Sequence, residues 1–178
     1  MKILIRKDTK ISYYMWDNDV EVTMDSENTY ISSPNLIPPK QSIEGYIERN
    51  KINRKKMSLN KKGEGKYSKT DIILKQSYKN SSLIECTLYT GRTHQIRLHL
   101  TSIQNPIVGD NIYGKNKISK FGLEKNTFNK FLILKNFSRQ ALHATHLGFF
   151  HPTHKKNIEF SSNLPSDMKN LIDLLLKY

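Results

Sequence analysis

TGRTHQIRLHL, residues 90–100, places two arginines and two histidines inside a stretch with helical apolar spacing. Thr90-Gly91-Arg92 breaks a preceding strand, and Thr93 can N-cap a helix on which Ile96, Leu100 and Ile103 recur at i, i+4 and i+7. At about 100° per residue, Arg97 falls one step round from Ile96, at the margin of that stripe. From there its guanidinium can stand at the wall of a cleft as a fixed cation for a carboxylate or phosphate, or pair with a nearby acid at the surface. His94 and His99 lie about 140° apart around the helix and cannot share one metal ion, so packing or hydrogen bonding is expected of them.

Outward from this helix, TDIILK (70–75) and SLIECTLY (82–89) read as strands, the second alternating Ile84, Cys86 and Leu88 with Glu85, Thr87 and Tyr89. KNSS between them is a turn. NPIVGDNIYG (105–114) is a tight, turn-rich segment. FLILK (131–135), ALHATHLGFF (141–150) and KNIEF (156–160) supply further strands, and Pro165-Ser166 opens a helix with Met168, Leu171, Ile172 and Leu175 as its buried stripe. Residues 1–35 offer one or two strands around the Tyr-Tyr-Met-Trp cluster at 13–16. SSPNLIPPK (32–40) is a loop, since its three prolines remove donors and extend their neighbours. Strands and two helices without βαβ alternation predict an α+β domain built on a mixed, mostly antiparallel sheet with flanking helices.

The 178 residues fit one domain, with 37% hydrophobic and 10% aromatic content to fill a core. A formal charge of +13 favours a polyanion as partner, nucleic acid first and an anionic membrane surface second. No stretch approaches the roughly 18 apolar residues of a membrane span, and the first apolar run is too short for a signal-peptide core. The single Cys86 excludes an intramolecular disulfide framework and any cysteine-based zinc site, which suits a reducing, cytoplasmic setting. As a nucleophile Cys86 has apolar and acidic strand neighbours rather than cationic ones.

Residues 49–69, RNKINRKKMSLNKKGEGKYSK, hold nine basic residues against one acid, Glu64. Such a run is either a solvated arm or a phosphate-tracking element, and in the second reading Arg49, Arg54, Lys55, Lys56, Lys61, Lys62 and Lys66 are its RNA-binding residues, with Arg92 beside them. Gly63 and Gly65 lack the phosphate-loop spacing and predict a hairpin turn. Of the clustered histidines 143, 146, 151 and 154, the first two have opposite strand parity and cannot chelate one ion without a bulge, so no metal site is expected.

GKYSKT (65–70), SLIECTLYTGRTHQIRLHL (82–100), PIVGDNIYG (106–114), RQALHATHLGFFHP (139–152) and LPSDM (164–168) together resemble the RluA-type pseudouridine synthases in order and spacing. IEGYIERN followed by RKKM (43–57) is similar to the branch acting on large-subunit ribosomal RNA. The resemblance implies a cofactor-free isomerase that takes a uridine out of the stack, attacks it with an aspartate, breaks the glycosidic bond and rejoins the base through C5. It also implies that Arg97 pairs with that aspartate. Gly91, Asp110, Tyr113 and Gly114 would shape turns around the pocket.

The family's HRLDxxTSG-like aspartate motif has no counterpart in residues 1–42, where Asp8, Asp17, Asp19 and Asp25 lack its neighbours. Tyr30 in NTYISSPN stands near the place of the family's base-stacking tyrosine, although Asn28 replaces its lysine. These departures give the expectation of a divergent segment over 1–42 and the C-terminal part of a synthase catalytic domain over 43–178. The sheet is then expected to be incomplete at its N-terminal side, with a truncated or split protein, a separate chain supplying the missing half, and little activity from this chain alone. The alternative is an inactive RNA-binding remnant.

Overall fold

The computed structural model describes residues 9–17, 22–25, 28–31, 39–78, 81–114 and 136–177, those up to Ile31 in backbone only. The expected strand at 131–135 and loop at 32–38 lie outside them, as do residues 79 and 80 of the expected KNSS turn.

Period-two alternation builds the sheet. In β4 (Lys40–Arg49), Ile43, Gly45 and Ile47 are buried while Glu44 on the opposite face is exposed. β6 (Lys66–Ser77) turns Ser68, Thr70 and Ile72 inward, and β7 (Ser81–Leu88) adds Ile84 and Cys86, all fully enclosed. With β1 (Thr9–Asp17) and β5 (Met57–Asn60) these form a five-stranded sheet of order β1-β7-β6-β4-β5, antiparallel at every pairing. β2 (Val22–Asp25) and β3 (Asn28–Ile31) form a separate two-stranded sheet, as do β8 (His146–Phe150) and β9 (Asn157–Ser161).

Two helices meet one face of the large sheet. α1 (Gln95–Ser102) sends Ile96 and Leu100, and α2 (Ser166–Lys177) sends Met168, Leu171 and Leu175, into a single cluster with Ile43, Ile72, Ile84 and Cys86. Ile107, Val108 and Ala141 close it. The α+β architecture read from the sequence is the observed one.

Several local expectations are corrected. β4 and β5 occupy sequence read without strands, and the N-terminal stretch has three strands rather than one or two. The strand expected over 141–150 covers only 146–150. Gly63 and Gly65 do adopt positive φ, but β5 and β6 flank β4 on opposite sides, so 61–65 bridges β4 instead of turning a hairpin. Gly65 is required there: a Cβ would stand 2.6 Å from Ile47 O.

Candidate active site

The entry to α1 is held by a glutamine. Thr93 does not cap the helix; the capping position falls to His94, in the left-handed region at φ 58, with no side-chain cap. Gln95 does the anchoring. Its Oε1 accepts from Thr90 Oγ1 (2.7 Å) and Arg92 N–H (3.0 Å), and its Nε2 donates to Lys69 O and Thr70 Oγ1, both at 3.0 Å. The Thr90–Thr93 loop is thereby fixed to β6.

His99, fully buried one turn later, ties the helix to the same strand. Ser68 Oγ gives its hydrogen to Gly45 O (2.8 Å), so it can only accept from His99 Nε2–H (2.9 Å); Nδ1 then accepts from Thr70 Oγ1 (2.9 Å). Burial pushes the imidazole down from 6.5 to about 4, which keeps this neutral tautomer in place at neutral pH.

Arg97 is interior as well. Every residue from Gln95 to Leu100 is buried, so α1 has no solvent face over this span, and Arg97 retains 8% exposure. Its partner is Asp110, bound through Nε (2.7 Å) and Nη2 (2.8 Å) in the bidentate geometry that guanidinium and carboxylate favour. An acidic partner thus exists, and it is enclosed rather than at the surface. Asp110 also accepts from the N–H groups of Ile112 (3.0 Å) and Tyr113 (3.1 Å). Burial alone would raise its pKa; the bonds from Arg97, Tyr113 and Ile112, with the Arg97 charge, outweigh that and hold it below the usual carboxylate range.

The Tyr113 ring lies 4.7 Å from the Arg97 guanidinium carbon. Its hydroxyl accepts from Met57 N–H (2.8 Å) and shares a hydrogen bond with His94 Nδ1 (2.8 Å). Burial, then the Arg97 charge, lowers the His94 pKa and so favours the neutral ring. The guanidinium is therefore fixed along one edge by Asp110 and across one face by Tyr113. Among the described residues Nη1 has no hydrogen-bond partner, and it is the group from which a second anion could be addressed.

Gly109 lets this arrangement close. Its φ is +74 and a Cβ would fall 1.9 Å from Arg139 O, where Ala141 N–H bonds to Val108 O (2.9 Å). Arg139 in turn grips Asp167 at the start of α2 through Nε (2.8 Å) and Nη2 (2.9 Å). The PIVGD, RQALHA and LPSDM stretches, distant in sequence, thus meet around the floor beneath Arg97.

The eight cations expected to bind RNA are not all together. Arg49, Lys66 and Arg92 line one cleft of about 320 Å³ with Ile47, Met57 and Thr93. Arg54, Lys55, Lys61 and Lys62 are exposed on the turns flanking β5, and Lys56, half-buried, sits just ahead of it. Tyr30 lies on β3 opposite Thr23, outside the five-stranded sheet. Asp17 and Asp25 end β1 and β2, while Asp8 and Asp19 are outside the described residues. No three His, Cys, Asp or Glu side chains converge on a metal position among the described residues.

The RNA pseudouridylate synthase profile matches residues 8–102. The chain belongs to this family. Among its relatives is the ribosomal large subunit pseudouridine synthase D of Zymomonas mobilis, 40% identical over 79% of this chain and 43% of the relative. The protein of that name from Buchnera aphidicola is 43% identical over 74% of this chain and 40% of the relative. The chain thus spans about two fifths of the length of these synthases. Human RNA pseudouridylate synthase domain containing 1 shares the fold, with a TM-score of 0.59 at 20% identity over 97% of this chain and 67% of that one.

Arg97 lies on the helix that the apolar spacing predicts, while the acid that holds it, Asp110, is not marked by that spacing. The signal available was an aspartate in a turn already marked by GDNIYG, since a buried turn carboxylate needs a cation as well as backbone donors.

Proposed function

We propose that the chain takes part in isomerising uridine to pseudouridine in RNA, with large-subunit ribosomal RNA as substrate, in the cytoplasm and without a cofactor. The observation that carries this is the clamped Arg97: the arginine of HQIR, held by Asp110 and Tyr113 of GDNIYG, keeps one nitrogen for a further anion. In this reading that anion is the nucleophilic carboxylate, supplied by a separate chain carrying the remaining half of the domain. It bonds to C1′ as the N1–C1′ bond breaks and its electron pair leaves with the base; the base turns, C5 bonds to C1′ while the carboxylate departs with the electrons of its own bond, and C5 then loses its proton and N1 gains one. Tyr30 is assigned the stacking role beside the target base, and residues 43–178 the C-terminal part of the catalytic domain. The exposed cations around β5 grip phosphates. No helix among the described residues is long and apolar enough to cross a membrane.

The test is a pseudouridine map of large-subunit ribosomal RNA by chemical derivatisation, from cells with and without the gene. Loss of one or more sites, restored by the gene but not by an Arg97→Ala copy, is expected. An unchanged map overturns the reading. An unchanged map with RNA affinity retained instead favours the binding remnant, motivated by the lack of an HRLD-like stretch in residues 1–42.

A further inference from the structure

The cleft between the end of β4, the start of β6 and the Thr90–Thr93 loop has three cationic walls and one carboxylate. Its cations are Arg49, Lys66 and Arg92; its acid is Glu48, whose Oε1 is engaged by Asn60 Nδ2 at 3.0 Å. Among the described residues none of the three cations is ion-paired, although Lys51, Lys69, Lys75, Arg97 and Arg139 all are. The two arginines are nevertheless fixed. Arg49 spends Nη1 on Arg54 O (2.9 Å) and Arg92 spends Nε on Tyr67 O (2.9 Å), which leaves Nε and Nη2 of the first and both terminal nitrogens of the second for a ligand. Guanidiniums steadied by carbonyls and left without counter-charge are prepared for an anion. Gly65 and Gly91 line the same cleft and let a ligand approach the main chain.

The cleft also adjoins the Arg97 cluster. Met57, on its wall, donates its N–H to Tyr113, the ring that covers the Arg97 guanidinium, and Thr93, also on its wall, directly precedes His94. A second cleft, around Lys40, Lys69 and Asp71, offers a smaller surplus: Lys69 is paired with Glu44, and the charge of Lys40 is opposed by the Asp71 carboxylate, which also accepts from Ser42 and Tyr89.

We propose that the Arg49–Lys66–Arg92 cleft is a phosphodiester subsite, holding the backbone phosphate of an unpaired RNA nucleotide that flanks the one presented to Arg97. The inference deepens the function proposed above and rests on it for the identity of the polymer, while the contact itself is to phosphate and therefore independent of base.

The test uses the 178-residue chain and fluorescence anisotropy with labelled oligo-A and oligo-U over a range of salt. Neutralising one phosphate contact on a single strand flattens the salt slope by about 0.7 and weakens binding about five-fold at 0.1 M salt. Arg49→Gln, Lys66→Gln and Arg92→Gln are expected to do this equally for both oligomers. Lys155→Gln with Lys156→Gln, removing two exposed charges from the β8–β9 turn, is expected to leave the slope within half that change. The Lys66 side chain makes no hydrogen bond or ion pair among the described residues, so Lys66→Gln remains decisive even where an arginine variant misfolds. Equal losses from the control pair, or no effect of Lys66→Gln, overturn the proposal, as does displacement of oligo-A by inorganic phosphate at equal concentration. Because oligo-A holds no uridine, failure here is distinct from failure of the ribosomal RNA map.

Discussion

Acidification should weaken this fold through one histidine. His99 is fully enclosed, with Nε2–H directed at Ser68 Oγ and Nδ1 receiving the hydrogen of Thr70 Oγ1. A second proton at Nδ1 would turn that hydrogen away, and Thr70 Oγ1 already accepts from Gln95. The group titrates at about 4 in the fold against 6.5 when free, so its contribution is fully present above 6.5 and is lost as pH falls toward 4. The fall corresponds to about 3 kcal/mol at most, of which about 2 kcal/mol is gone by pH 5. Urea denaturation at pH 7.5 and pH 5.0 measures it, comparing the parent with His99→Gln. The variant starts less stable, yet it should lose about 2 kcal/mol less between the two pH values. His94, also depressed by burial and the Arg97 charge, contributes in the same direction to both proteins and cancels in the comparison. Identical pH dependence in the two proteins would refute the reasoning, as would an NMR titration placing His99 above 6.

Asp110→Asn keeps the shape of the side chain but leaves the Arg97 guanidinium buried without its counter-charge, and a loss of about 3–5 kcal/mol is expected in denaturant titration; a loss under about 1 kcal/mol would mean that the pair is hydrated. Gly109→Ala must move the main chain around Arg139, because the added carbon would lie 1.9 Å from its carbonyl oxygen. Failure to recover soluble, cooperatively unfolding protein is expected, whereas Gly63→Ala, with open space around it, should cost only about 1 kcal/mol for its positive φ.

Helix α2 was readable because it is truly two-faced: Met168, Leu171 and Leu175 are buried while Lys169, Asn170 and Leu174 are exposed. The same periodicity predicts α1 but not the extent of its burial. Ile96 and Leu100 do enter the core, but Gln95, Arg97, Leu98 and His99 are buried too, so no apolar stripe marks a margin. Polar residues can surround a buried helix when each has a fixed partner, and those partners sit on β6 and in the GDNIYG turn, beyond the reach of periodicity. β4 carries an honest alternation of Ile43, Gly45 and Ile47, yet the glycine hid it: Leu59 fills the space a side chain at Gly45 would need, a dependence on β5 that spacing alone does not disclose. β5 is four residues in a run dominated by charge, and only its pairing with β4 makes it a strand. The resemblance reached the family and the arginine; the aspartate that holds the arginine, thirteen positions on, needed coordinates.

The bridge at 61–65 gives β4 an unusual standing in the sheet. Its two neighbours are joined across it by residues 61–65, so β5, the other rim strand, stays leashed to β6 when its four pairings with β4 open. Tyr46 and Ile47, flanked by strands on both sides, should exchange their amide hydrogens with deuterium late, while those along the rim strand β1 trade early and one by one.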